Sequence, residues 1–217
     1  MLRAILFDLD GVLIDSEGLH TAAAQAALAE HGVHLPRGLI DQFIGTPDVV
    51  FMQHASQTYL QGRIAPADLL ASKQRIYLQT EERMQAVPGA IDFLHAVRPQ
   101  TATALVTSSL RHNQELAFAR FGLAPCFDAV VTAEDVTHTK PHPEPYLTAV
   151  VRLGIPAAEC LVIEDSLHGL AAARAAGCCT LALATSCPVD TLTAAGADYV
   201  CKDYAEVAAV WECVRGQ

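Results

Sequence analysis

Five short apolar runs recur along the chain: "AILF" (Ala4–Phe7), "TALVT" (Thr103–Thr107), "AVVT" (Ala129–Thr132), "CLVIE" (Cys160–Glu164) and "TLALA" (Thr180–Ala184). Apolar residues in them do not alternate with polar ones, so each reads as a strand buried on both faces. Helical patterns fill the intervals between the later runs. Asn113–Phe121, Pro143–Leu153 and Leu167–Ala176 stop at Gly122, Gly154 and Gly177, the expected punctuation past a helix C-terminus. Ser166 is placed to cap the third of these helices. Strand and helix in alternation predict an α/β fold, a doubly wound parallel sheet.

The interval from Asp15 to Ala86 breaks this rhythm. It offers no strand run but three helical segments, His20–His31, Asp48–Leu60 and Ala67–Met84, separated by turn signals at "HGVHLPRG" and "QGRIAP". Some seventy residues of helix are too many for one crossover connection. The pattern predicts an inserted α-helical cap domain over residues 15–86, leaving 1–14 and 87–217 as the α/β core domain.

Composition narrows the function classes. The chain has 217 residues, 52% of them hydrophobic, enough for a sizeable core. Its formal net charge of −10 argues against nucleic acid or a membrane surface as partner, since phosphate backbones demand basic patches. Seven cysteines, an odd number with no CxxC pair, read as buried thiols in a reducing compartment. "MLRAILFDLD" meets acid too soon for a signal peptide, and no apolar stretch reaches membrane-spanning length. The expectation is a cytoplasmic protein, monomeric or a weak homodimer.

The chemistry gathers at the strand ends. Ligands of open parallel sheets bind outside the carboxyl ends of the strands. Asp8 and Asp10 follow the first run, Thr107, Ser108 and Ser109 the second, Lys140 lies after the third, and Glu164 and Asp165 end the fourth. Carboxylates, hydroxyls and one lysine around a single point suit a hard divalent cation such as magnesium, and a magnesium held by few carboxylates normally serves a phosphate. Neither GxxxxGK[ST] nor GxGxxG occurs.

Four segments, "DLDGVLIDS", "TSS", "KPHPEPYL" and "IEDSLHGLAAARAAG", resemble in order and spacing the four motifs of the haloacid dehalogenase superfamily. The subgroup most similar contains β-phosphoglucomutase and phosphoglycolate phosphatase, with a Rossmann-like core and a helical cap. The resemblance implies Asp8 as nucleophile and Asp10 as general acid and base, its carbonyl also touching Mg2+. It implies Thr107 and Lys140 as partners of the transferring phosphoryl group, Asp165 as metal ligand and Glu164 as a less certain one. Gly11, His20, Gly45, Lys73, Ser108, Ser109 and Arg111 fall at substrate-binding positions. Read without the resemblance, His20 is a polar-face helix histidine and Lys73 a solvated helix lysine.

Two departures from the subgroup bear on function. Thr139 precedes Lys140 where relatives often carry glycine, and "TPDVVFM" after Gly45 lacks the arginine with which the mutases hold a second phosphate. Asp48 and Val49 cannot do that work. The expected activity is a magnesium-dependent phosphatase acting on a small phosphorylated metabolite. The rivals are a β-phosphoglucomutase-type transferase and a non-catalytic binding protein of the same fold.

Overall fold

The computed structural model describes residues 1–44 and 46–216. The chain begins with β1 (Ala4–Phe7), followed by the two-residue β2 (Ile14–Asp15). Four helices come next: α1 (Glu17–Ala29), α2 (Arg37–Ile40), α3 (Asp48–Leu60) and α4 (Pro66–Tyr77). After β3 (Gln85–Ala86), the chain runs through α5 (Ala90–Val97), β4 (Ala102–Val106), α6 (Arg111–Phe121), β5 (Ala129–Val131) and α7 (Glu144–Leu153). It finishes with β6 (Cys160–Glu164), α8 (Leu167–Ala175), β7 (Cys179–Leu183), α9 (Val189–Ala194), β8 (Tyr199–Cys201) and α10 (Tyr204–Val214).

Six strands form one sheet in the order β5-β4-β1-β6-β7-β8, and every neighbouring pair is parallel. Side chains along β1 part to opposite faces, as the two-residue strand period demands. Ile5 and Phe7 pack with α5, α6 and α10 through Phe93, Phe118 and Trp211, whereas Ala4 and Leu6 pack with α7 and α8 through Tyr146, Ala149 and Ala172. All four β1 residues are fully buried, which is why the run carries no polar alternation; each large aliphatic so covered contributes about 1.5–3 kcal/mol. Cys126, Cys160, Cys178 and Cys201 are buried, as expected of small apolar side chains.

The helices α1–α4 build a separate small core from Leu28, Ile40, Phe51, Met52, Leu60 and Leu69. Entry and exit of this insert lie side by side, because β2 and β3 pair antiparallel with Ile14 opposite Ala86 and Asp15 opposite Gln85. The expected helix over Ala67–Met84 stops at Tyr77 and continues as a 3-10 segment, Leu78–Arg83. Thr80 Oγ1 donates to the Tyr77 carbonyl at 2.7 Å, so a side chain takes the acceptor there. Among the described residues no helix is long and apolar enough to cross a membrane.

One close approach fixes the α8 register against β6. A Cβ on Gly169 would land on the Glu164 carboxylate. Gly169→Ala should therefore lower stability by about 1–3 kcal/mol, read as a fall in the urea midpoint. An unchanged midpoint would show that the Glu164 carboxylate can move aside.

Candidate active site

Asp8 sits one residue past β1, its amide still donating to Ile163 O at 3.1 Å in continuation of the ladder. The chain then turns at Gly11, whose φ of +74° and closeness to the Asp165 carboxylate and Ser186 exclude a side chain. The Gly11 carbonyl accepts from Thr185 Oγ1 at 2.6 Å. Parallel strands that end together thus bring Asp8 (after β1), Thr107 (after β4), Glu164 (the end of β6) and Asp165 to one edge.

Lys140 binds this group together. Its ammonium donates to Asp8 Oδ1 at 2.7 Å, Glu164 Oε1 at 2.6 Å and Val106 O at 2.9 Å, and its side chain is 2% exposed. Glu164 is saturated: Oε1 also accepts from Tyr146 OH at 2.7 Å, and Oε2 accepts from the amides of Asp165 and Ser166 and from Ser166 Oγ. Carboxylate oxygens of Asp8, Glu164 and Asp165 lie within 4.8 Å of one another. Burial, with the neighbouring acids Glu164, Asp165 and Asp10, pushes the Asp8 carboxyl well above its ordinary value, against the pull of Lys140. Asp165 is raised for the same first reason, burial, with Glu164 next and Ser186 opposing through a hydrogen bond. Lys140 moves the other way: burial alone would lower it, and Asp8 and Glu164 raise it above its ordinary value.

Asp10 lies in a different environment. Burial would raise its carboxyl, but the His20 ring beside it and hydrogen bonds from His20, Ser109 and Ser16 outweigh that and hold it well below the usual range. Ser109 Oγ donates to Oδ2 at 2.6 Å, His20 Nε2 lies 3.2 Å from Oδ1, and Ser16 Oγ also donates to Oδ1. Two carboxylates one residue apart therefore shift in opposite directions, Asp8 raised by burial and neighbouring acids and Asp10 lowered by His20, Ser109 and Ser16.

Of the remaining expected residues, Thr107 Oγ1 accepts the Ser109 amide at 3.0 Å, and Ser108 Oγ is buried with no partner among the described residues. His20 stacks on Tyr77 with ring centroids 4.1 Å apart. Lys73 is not a solvated helix lysine: it is buried, ion-paired with Asp48, and 3.0 Å from His20 Nδ1. Arg111 is not brought to this site, because its guanidinium pairs with Asp135 at 2.8 Å. Gly45 lies outside the described residues. Glu164 lines the cluster without a free oxygen, so its carboxylate orients Lys140 rather than reaching outward.

Several participants escaped the sequence reading. Ser186 Oγ donates to Asp165 Oδ2 and Thr185 bridges to Gly11; both follow β7, so the rule of strand ends applied to "TLALATS" would have found them. Glu17, in the first turn of α1, borders the same cavity, and burial with the nearby Asp10 and Asp8 pushes its carboxyl up to about 8. The cavity lies between this sheet edge and the helical insert.

The family model described as haloacid dehalogenase-like hydrolase matches residues 5–183. The chain is 31% identical over 210 residues to validoxylamine A 7'-phosphate phosphatase of Streptomyces hygroscopicus subsp. limoneus, covering 95% of this chain and 96% of that one. It is 30% identical over 176 residues to a fructose-1-phosphate phosphatase of Escherichia coli K12, covering 80% of this chain and 92% of that protein. The crystal structure of CbbY from Rhodobacter sphaeroides in complex with phosphate superposes with a TM-score of 0.85 at 25% identity, covering 95% and 96% of the two chains.

Removing Lys140 leaves Asp8 and Glu164 buried without their cation. Lys140→Met should lower stability by about 3–5 kcal/mol at neutral pH. The deficit should shrink toward pH 5, because carboxyls held above their unfolded values favour the folded state at low pH and lose that contribution as pH rises. Urea midpoints at pH 5 and pH 8 measure both effects; equal midpoints for variant and wild type would overturn the charge assignment.

Proposed function

This chain belongs to the haloacid dehalogenase-like hydrolases, and we propose that it is a magnesium-dependent phosphatase cleaving small sugar-phosphate or phosphoglycolate-type monoesters through an aspartyl-phosphate. The observation that carries this reading is the buried cluster at the sheet edge, in which Asp8, Glu164 and Asp165 outnumber the single ammonium of Lys140. Phosphatase names among the relatives agree with it. Residues 15–86 act as the cap, carrying leaving-group contacts, and residues 1–14 and 87–217 as the core.

In the proposed reaction the Asp8 carboxylate attacks phosphorus, and the bond from phosphorus to the leaving oxygen breaks as Asp10 donates its proton to that oxygen. Water then attacks the aspartyl-phosphate while Asp10 takes a proton from it, releasing inorganic phosphate and restoring Asp8. The donors around Asp10 suit the second half, where an ionised carboxylate is needed. Lys140 offsets charge on the phosphoryl oxygens and on Asp8, and Thr107 with the unpartnered Ser108 hydroxyl offers hydrogen bonds to them. The donor set fits a hard divalent cation: carboxylate oxygens of Asp8 and Asp165, with the Asp10 carbonyl, would hold magnesium. Its chemistry there is to neutralise phosphoryl charge. A mutase needs a cap cation for a distal phosphate, and the segment Thr46–Met52 has no arginine.

Asp8→Asn is nearly isosteric and keeps an acceptor for Lys140, yet an amide is a poor nucleophile. It should abolish hydrolysis of p-nitrophenyl phosphate in magnesium buffer without unfolding the protein. Residual activity within about tenfold of wild type, ~1.4 kcal/mol in barrier, would sink the nucleophile assignment.

Asp165→Ala removes one hard donor. The magnesium concentration giving half-maximal rate should rise, and the thermal stabilisation by magnesium alone should weaken. Identical titration curves in both assays would locate the ion elsewhere.

A further inference from the structure

The cavity measures about 730 Å³ including its open mouth. Its floor is the acid-rich sheet edge, and its insert side is mostly apolar, walled by Ala24, Ile40, Phe43, Ile44 and Phe51. Charged groups on the insert side are few: Glu17, Asp48 and Lys73, with the His20 imidazole. Lys73 is the one ammonium among the described residues lining that side, and it is committed. Its side chain is 2% exposed, ion-paired with Asp48 and hydrogen-bonded to His20 Nδ1 at 3.0 Å. Asp48 is held from its other oxygen by Gln74 Nε2 at 3.4 Å. Glu17 makes no hydrogen bond to any described residue.

We propose that Asp48 is a specificity residue: by occupying Lys73 it denies a second anion its counter-charge, so the site selects monophosphate esters with an uncharged, hydroxylated leaving group. The reading rests on the phosphatase assignment above and narrows it to polyol and sugar monophosphates. A second phosphate or a carboxylate entering here meets the Asp48 carboxylate and an apolar wall with no uncommitted cation, and placing it in a partly desolvated site is costly. A hydroxylated leaving group instead finds the unpartnered Glu17 carboxyl as a hydrogen-bonding group beside a largely apolar wall. The pairing is also what allows a lysine to be buried in the insert at all.

The test compares kcat/KM of the full chain, with magnesium, on sorbitol 6-phosphate, 2-phosphoglycolate, fructose 1,6-bisphosphate and p-nitrophenyl phosphate. Wild type should prefer sorbitol 6-phosphate over both esters that carry a second anionic group by about tenfold or more. Asp48→Asn frees Lys73 and should raise the ratio of 2-phosphoglycolate to sorbitol 6-phosphate by about tenfold, a gain that Lys73→Met in the same chain abolishes. Lys73→Met alone leaves the insert side with no ammonium and Asp48 without its partner, and should keep the wild-type preference in place, which holds the proposal open to test even if Asp48→Asn fails to fold. Equal rates on the two classes by wild type, an unchanged ratio in Asp48→Asn, or a selective loss of 2-phosphoglycolate turnover in Lys73→Met would each overturn the assignment of Asp48. Wild type inert toward p-nitrophenyl phosphate as well would instead remove the phosphatase reading, and this proposal with it.

Discussion

The burial of three carboxylates around one ammonium is the constraint on which the rest of the structure depends. A lone buried charge is unaffordable at several kcal/mol, and a buried pair survives only when its remaining donors and acceptors are satisfied. Lys140 meets that condition with Asp8, Glu164 and the Val106 carbonyl, and Glu164 meets it with four donors besides Lys140. Asp8 and Asp165 are left with more negative charge than the protein itself cancels, and their carboxyl values are raised first by burial and then by the neighbouring acids. A cation or a proton must make up the difference.

The sheet topology is what makes such crowding reachable. β1 lies between β4 and β6, so residues just past the three strands converge although they are far apart in sequence; Asp10 and Ser109 are 99 positions apart and hydrogen-bonded, and Lys140 reaches Asp8 from the loop after β5. Strands buried on both faces fix this edge rigidly, since sliding any one of them would expose a continuous apolar run. The close packing of Gly169 on the Glu164 carboxylate does for α8 what the ladder does for the strands. Rigidity at this edge is useful to a reaction whose catalysis is mostly positioning and charge placement.

The central strands, the insert and the residues at the sheet edge were legible in the sequence because each rests on a strong local signal. β1 and β6 fall at Ala4–Phe7 and Cys160–Glu164 as read, and α3 at Asp48–Leu60. What was missed lacks such a signal. β8 is three residues on the sheet's edge with only Cys201 buried, and β2 and β3 are two residues each, held by pairing rather than by composition. Lys73 looked like a solvated lysine because its partner Asp48 lies on another helix, and Arg111 looked available because the acid that takes it, Asp135, lies after a different strand. Pairings between distant charges are tertiary facts that no local pattern encodes.

Those distant pairings also join the two parts of the molecule. Asp48 on α3 holds Lys73 on α4, Lys73 contacts His20 on α1, and His20 contacts Asp10 at the sheet edge, where Ser109 from the core completes its shell. The insert side of the cavity is thus wired by hydrogen bonds to the carboxylate proposed as the general acid. With Lys73 donating to Nδ1, the imidazole carries its proton on Nε2, facing Asp10, which favours the ionised carboxylate. The hydrogen-bonded surroundings of Asp10 thus depend on how the insert's few charges are paired, across helices α1, α3 and α4, which the sheet's ladder does not itself fix.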